Sequence, residues 1–348
     1  MEDLPVTPVD AARSAKDAML RRFYARAKIN GQIVLPAVPA LLDEYVSMCS
    51  TVFAGLGKPF SDAELAHIRD ALTGELATAY AASPRSNIII TYNAPIGTSL
   101  NYNIRAEWTS ISEAYERWLA TRTPPLFGTE PDARVLQLAT EAADPATHRV
   151  LEIGAGTGRN ALALARRGHP VDAVEMTPKF AEMLRTEADR DSLDVRVIAR
   201  DVFAESDDLR DDYQLIVLSE VLTDFRSTHQ VRSLFELAAR CLAPGGRLVF
   251  NTFLPRDGYH PDDAAREFCQ QVYSSLFTRH EMSTAAAGLP LRLLSDESVH
   301  DYEKAHLPDG AWPPTSWYIK WVDGIDAFRT SPEESPIELR WLVFERTH

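Results

Sequence analysis

Apolar positions recur at two different periods along this chain. From Asp10 to Ala27 small, basic and apolar residues, Phe23 and Tyr24 among them, read as a helix. The apolar run Val34 to Leu42 is short and broken by two prolines. Ser61-Asp62-Ala63-Glu64 has the layout of a capping box, in which Ser and Glu satisfy each other's free backbone donors. Leu65, Ile68, Leu72, Leu76 and Tyr80 follow at helical spacing. The texture then changes. Asn87–Asn93 and Leu100–Ile104, with Ala94-Pro95-Ile96-Gly97 between them, read as two short strands around a turn. A second capping box, Ser110 to Glu113, opens a helix carrying Tyr115, Trp118 and Leu119. Thr121 to Pro131 holds three prolines and a glycine and reads as a linker.

Beyond the linker, apolar runs of strand length alternate with helical patterns. After a helix from Pro131 to Ala143, strands are expected at 149–153, 171–175, 195–199, 215–218 and 247–252. Helices between them include 178–188 and 229–242. This alternation predicts an α/β fold, a doubly wound parallel sheet with helices on both faces. Ile337 to Phe344 begins with apolar/polar alternation and suits a late antiparallel strand. The expected division is a mostly helical first domain, 1–125, and a second domain, 126–348, with an insertion at about 255–335.

Composition narrows the class. A 45% hydrophobic and 25% charged chain is ordinary for a globular protein. The net charge of -14 argues against nucleic acid, whose binding needs a cationic surface. No membrane span is expected, and the N-terminus lacks the basic-then-apolar layout of a signal peptide. Cys49, Cys241 and Cys269 are far apart and odd in number, so no disulfide framework and a reducing cytoplasm are expected. No ligand spacing suggests a metal.

The chemistry concentrates in Val150-Leu151-Glu152-Ile153-Gly154-Ala155-Gly156-Thr157-Gly158-Arg159-Asn160. A buried strand ends, alternate glycines turn the chain, and a helix begins. Glycine permits the tight turn and lets a ligand approach the backbone closely. A dinucleotide fingerprint would place its last glycine at 159, where this chain has Arg159. Glu175 ends the next strand, where a carboxylate can hold ribose hydroxyls. Asp201 follows the third strand, where it can accept from an adenine amino group.

Glycine loop and acids together resemble the class I S-adenosylmethionine (SAM)-dependent methyltransferase superfamily, most closely over 149–253. The resemblance implies a mostly parallel seven-stranded sheet and SAM as cofactor. It implies that Gly154, Gly156 and Gly158 line the cofactor, with Asn160 beside them, and that Glu152 orients its amino end. Glu175 would hold the ribose, Met176 would lie on the adenine face, and Asp201 and Val202 would bracket the adenine edge. Ser219 would sit near the sulfonium, and Tyr24 would cover the cofactor from a lid helix.

Asp/Asn-Pro-Pro-Tyr/Phe, usual in amino-methylating nucleic-acid enzymes of this type, is replaced here by Ser219-Glu220-Val221-Leu222. Glu220 and Asp224 lack a third ligand for metal-assisted methylation and are expected to face solvent. The expected activity is O- or N-methylation of a small molecule by a monomer or homodimer. Tyr102, Asn93 and Ser219 are the candidate catalytic residues, the first two on a lid formed by the N-terminal domain. The alternative is a SAM cyclase that forms azetidine-2-carboxylate and methylthioadenosine. His260 and His280 are candidate bases. The stretch from His300 to His306 and the aromatic run Trp312 to Trp321 are candidate acceptor walls.

Overall fold

The computed structural model describes residues 8–95, 99–122, 125–204 and 208–347, excluding the side chains of 8–11, 24 and 25. It divides into two units, 1–111 and 112–348.

The first unit runs α1 (Pro8–Arg26), β1 (Lys28–Pro36), α2 (Leu42–Gly55), α3 (Asp62–Ala82), β2 (Asn87–Pro95) and β3 (Asn101–Glu107). It is mostly helical, with a three-stranded antiparallel sheet in the order β1-β2-β3. The predicted capping box opens α3: Ser61 N donates to Glu64 Oε2 at 2.8 Å, and Glu64 N to Ser61 Oγ at 3.4 Å. Alternate residues of β2, Ile88 and Ile90, bury against Cys49 and Phe53 of α2 and Ile68, Leu72 and Leu76 of α3. The strand β1 was not legible in the pattern, because exposed Ile29 and Val34 hide its alternation. It is an edge strand that ends on Pro36, a place where a missing N–H disrupts no ladder. The turn residues 96–98 lie outside the described residues.

The second unit begins with α4 (Ile111–Thr121), ahead of the proline-rich stretch. Several contacts bind α4 to this unit, the Glu116–Lys179 ion pair at 3.0 Å among them. Tyr115 donates its hydroxyl to Asp224 at 2.7 Å, and Trp118 stacks on Phe127 at 5.1 Å between ring centroids. There follow α5 (Ala133–Thr140), β4 (Val150–Ile153), α6 (Arg159–Ala165), β5 (Val171–Val174), α7 (Pro178–Arg190), β6 (Val195–Ile198), β7 (Tyr213–Leu218), α8 (Thr228–Cys241) and β8 (Leu242–Pro255). Then come α9 (Asp263–Gln271), α10 (Arg279–Ala286), β9 (Leu291–Ser298), α11 (Val299–His306), α12 (Tyr318–Val322), α13 (Ile325–Phe328) and β10 (Ile337–Arg346).

These strands form a seven-stranded sheet ordered β6-β5-β4-β7-β8-β10-β9. It is parallel from β6 through β8, and β10 runs antiparallel to both its neighbours. Helices cover both faces, so β4 and β5 are buried at every position. The seventh strand, β9, comes from inside the stretch read as an insertion. Since β9 opposes β10 and β10 opposes β8, β9 runs in the direction of β4. The glycine loop and the segments after β5, β7, β8 and β9 therefore share one edge of the sheet, the edge where α/β folds bind ligands.

Candidate functional site

The glycine loop turns on three left-handed residues, Gly154 (φ +72°), Gly156 (φ +56°) and Gly158 (φ +94°). Two of them are also fixed by packing. A Cβ at Gly154 would lie 2.3 Å from Val221 Cγ2, and one at Gly158 would lie 2.4 Å from Leu184 and 2.8 Å from Leu162. Gly156 differs. A Cβ there would meet only the Phe127 ring, at an ordinary 3.5 Å. Of the three, Gly156 is thus the glycine whose missing side chain is not demanded by the packing around it.

Glu175 follows β5 and is buried. Its Oε2 accepts from Gly156 N at 2.8 Å and its Oε1 from Thr177 N at 2.7 Å. Burial raises its pKa, with these N–H groups acting in the opposite direction. The Thr177 side chain and the Met176 backbone N–H also act on this carboxylate and favour its charged form. The neighbouring Met176 is exposed, while Val202 is buried. Asp201 is exposed and its Oδ1 accepts from Phe203 N at 2.9 Å, a local turn contact.

Glu152 is buried on β4, and its Oε2 has no hydrogen-bond partner. Burial pushes its pKa up to about 8. A buried carboxyl with one oxygen unpaired is a group that a ligand ammonium would satisfy. Asn160 acts on Glu152 and is also tied to Asp132, whose N donates to its Oδ1 at 2.8 Å and which accepts from its Nδ2 at 2.9 Å.

Arg159 occupies the position where a dinucleotide fold requires a small residue. Its guanidinium is buried 3.1 Å from Asp132 and 2.9 Å from Glu220, and donates to Ser219 Oγ at 3.3 Å. Burial works against the charge, but Asp132 and Glu220 outweigh it and raise the pKa. Glu220 has a left-handed backbone (φ +62°), and its N–H donates to Asn251 Oδ1 at 2.6 Å. The expectation that Glu220 and Asp224 face solvent is corrected here. Glu220 is tied to Arg159, and Asp224 accepts the Tyr115 hydroxyl. Behind this cluster Glu303 accepts from the first N–H groups of α5, at Ala133 and Arg134 (2.7 and 3.1 Å), and from Trp341 Nε1 at 3.0 Å.

An aromatic group stands beside the loop. Tyr115 and Trp118 of α4, Phe127, Phe180 of α7 and Tyr273 lie with neighbouring centroids 5.1–6.5 Å apart. In the C-terminal segment Trp321 packs edge-on against Phe253 of β8, so it is part of the sheet's cover.

The second unit therefore gathers Glu152, Gly154, Gly156, Gly158, Asn160, Glu175, Met176, Asp201, Val202 and Ser219 along one sheet edge. Tyr102 and Asn93 belong to the first unit. There Tyr102 packs against Phe53 and Phe60, and Asn93 Oδ1 is buried without a partner. The Tyr24 side chain lies outside the described residues. Sequence reasoning missed Asp132 and Phe127, and it placed Glu303 only within the candidate wall from His300 to His306. Only Arg159 gave a signal, as a long charged residue at a crowded position. Among the described residues, no cluster of His, Cys, Asp and Glu has a metal-binding arrangement, and no helix is long and apolar enough to cross a membrane.

Residues 126–294 match a family model described as a methyltransferase domain. No curated protein matches the chain. Among solved structures it is similar to geranyl diphosphate C-methyltransferase from Streptomyces coelicolor A3(2), crystallised with Mg2+, geranyl diphosphate and S-adenosyl-L-homocysteine. That alignment has 15% identity and a TM-score of 0.50, covering 69% of this chain and 98% of the other. A second structure of that enzyme, with geranyl-S-thiolodiphosphate, aligns at 16% identity and a TM-score of 0.51, over 69% and 99% of the two chains. At these identities the likeness establishes the fold.

Proposed function

We propose that this chain, whose second unit is a class I methyltransferase domain, binds SAM at the glycine loop and transfers its methyl group to a small-molecule acceptor. The observation that carries the reading is Glu175. A buried carboxylate aimed by the N–H groups of Gly156 and Thr177, beside the least crowded glycine of the loop, suits a ribose diol. The unpaired Glu152 Oε2 suits the ammonium of the methionine portion. The methyltransferase-domain match supports the reading, as does a structure of the same fold that holds S-adenosyl-L-homocysteine.

In this reading Gly156 and Glu175 fix the nucleoside and Met176 lies on the adenine face. Asp201 and Val202 lie at its edge. Ser219 and Glu220, held by Arg159 and Asn251, present the acceptor side after β7. The bound cofactor supplies a methyl carbon already activated by a sulfonium. The chain's work is to align the acceptor and keep water away. The roles of Tyr102 and Asn93 toward the acceptor are part of the proposal, Asn93 being favoured by its unpaired Oδ1.

Incubating the purified chain with SAM and a panel of small acceptors, then identifying the nucleoside product, tests this function. S-adenosylhomocysteine that appears only with an acceptor supports it. Methylthioadenosine formed from SAM alone replaces it with the cyclisation reaction. SAM that neither binds nor reacts rejects it.

A further inference from the structure

The segment between β9 and β10 carries a histidine–aspartate pair that the reading above leaves unused. His300, on α11, places Nδ1 2.8 Å from Oδ1 of Asp323, just past the end of α12. The Asp323 side chain is only 7% exposed, and its Oδ2 is buried with no partner. His300 also packs against Trp312, the two rings tilted with centroids 5.1 Å apart. The side chain is 20% exposed, and its hydrogen bond is made through Nδ1, which leaves Nε2 open.

Register puts this pair at the site's edge of the sheet. Ser298 lies opposite Arg340, and Arg340 lies opposite Thr252 of β8. His300 therefore follows the end of β9 on the same edge as the glycine loop, Ser219 and Glu220. A chain of rings links the two places. Trp312 packs against Tyr318 at 5.8 Å, and Tyr318 lies close enough to Glu220, Asp132 and Arg159 for their charges to act on its hydroxyl.

We propose that His300 is the general base that takes the acceptor's proton, and that Asp323 is the positioning residue acting through it. This rests on the methyl-transfer reading. With Asp323 accepting from Nδ1–H, the neutral ring is held in the tautomer whose Nε2 lone pair is free. The unpaired Oδ2 leaves the carboxylate's charge with no other hydrogen-bond partner than the ring. As the acceptor heteroatom attacks the methyl carbon, the carbon–sulfur bond breaks and its electron pair stays on sulfur. The heteroatom's proton passes to Nε2, so the positive charge lost at sulfur reappears on the imidazole. The acceptor is accordingly protic: an alcohol, a phenol or an amine. A purely structural tie would serve equally well with Nε2 covered.

The test uses the full chain labelled with 15N-histidine, with the His300 signal assigned by its loss in His300→Gln. The expected result is a protonated Nδ1 and an unprotonated Nε2, with both signals moving when S-adenosylhomocysteine is added. Asp323→Asn should mix the tautomers in a protein that remains folded by circular dichroism. With alcohols, phenols and amines that the wild type methylates, His300→Gln should lose about 100-fold in turnover at near-normal cofactor affinity, within the range for general-base catalysis. A His300 signal that stays still while glycine-loop signals move would overturn the proposal and leave the cofactor reading intact. So would His300→Gln turnover within about threefold of wild type, below any general-base effect. No shift anywhere on adding S-adenosylhomocysteine would reject both.

Discussion

The two units bury polar side chains in opposite ways. In the first, tyrosines enter an apolar core: Tyr92 and Tyr102 lie 5.7 and 6.2 Å from Phe53, and Tyr45 donates to Pro36 O at 2.8 Å. In the second, Arg159, Asp132, Glu220, Glu152 and Glu303 are buried around the end of the parallel strands. Burying a tyrosine ring yields apolar contact and asks for one hydrogen bond. Burying a charge loses hydration worth several kcal/mol, and pairing recovers it only with good geometry. The first arrangement is what packing alone would select. The first leaves neutral groups such as Asn93 Oδ1 without a partner, and the second leaves atoms of ionisable groups so, Glu152 Oε2 and Arg159 Nη1.

Removing Arg159 should break this contrast most sharply. Arg159→Met leaves Asp132 and Glu220 buried without their cation and should destabilise the chain by about 3–5 kcal/mol. Denaturant unfolding measures it, and stability equal to wild type would mean that the network contributes nothing. Next in size is the cofactor. Glu175→Ala loses two charge-assisted hydrogen bonds of about 1.5–3 kcal/mol each, so SAM affinity should fall by about hundredfold or more in a folded protein. Calorimetry decides it, and unchanged affinity would remove the ribose role.

Glu152 sharpens the comparison through pH. Burial raises its pKa from 4.5 to about 8. The folded chain therefore holds a proton that the unfolded chain releases between those values. This contribution to stability is complete below the unfolded pKa and is lost as pH rises through about 8. Glu303, raised to about 7 by burial, acts in the same direction. The melting temperature of the ligand-free chain should thus fall between mildly acidic and mildly alkaline pH, and fall less in Glu152→Gln. Binding a ligand ammonium favours the ionised carboxylate, so SAM binding should release a proton, visible as a buffer-dependent enthalpy. The smallest effect is expected in the first unit. Tyr102→Phe keeps the ring packing and should change stability by less than about 1 kcal/mol. If Tyr102→Phe and Asn93→Ala also turn over normally, the acceptor roles proposed for them fall.

Much of the second unit was legible because its signals are local. Short, mostly apolar runs mark β4, β5 and β7, and a strand ending in alternate glycines sets where Glu175 and Ser219 must stand. The capping box at Ser61 fixed the start of α3 for the same reason. Less was legible where a side chain's partner is remote in sequence. Arg159 reads only as the absence of a glycine until Asp132 and Glu220 are beside it. Asp201 reads as an adenine acceptor, and its contact in the structure is with Phe203 N. The edge strand β1 was hidden because apolar residues lie on both its faces.

The sequence by itself determined the alternation of strands and helices, the left-handed turn through Gly154, Gly156 and Gly158, and the acids at the strand ends. All of these follow from side-chain period and backbone sterics within a few residues. Only the tertiary structure decided that Glu303 caps α5 from 170 residues away, that β9 joins the sheet through β10, and that His300 faces Asp323. Those pairings depend on which buried polar groups must satisfy one another once the sheet has closed around them, and no local pattern encodes that requirement.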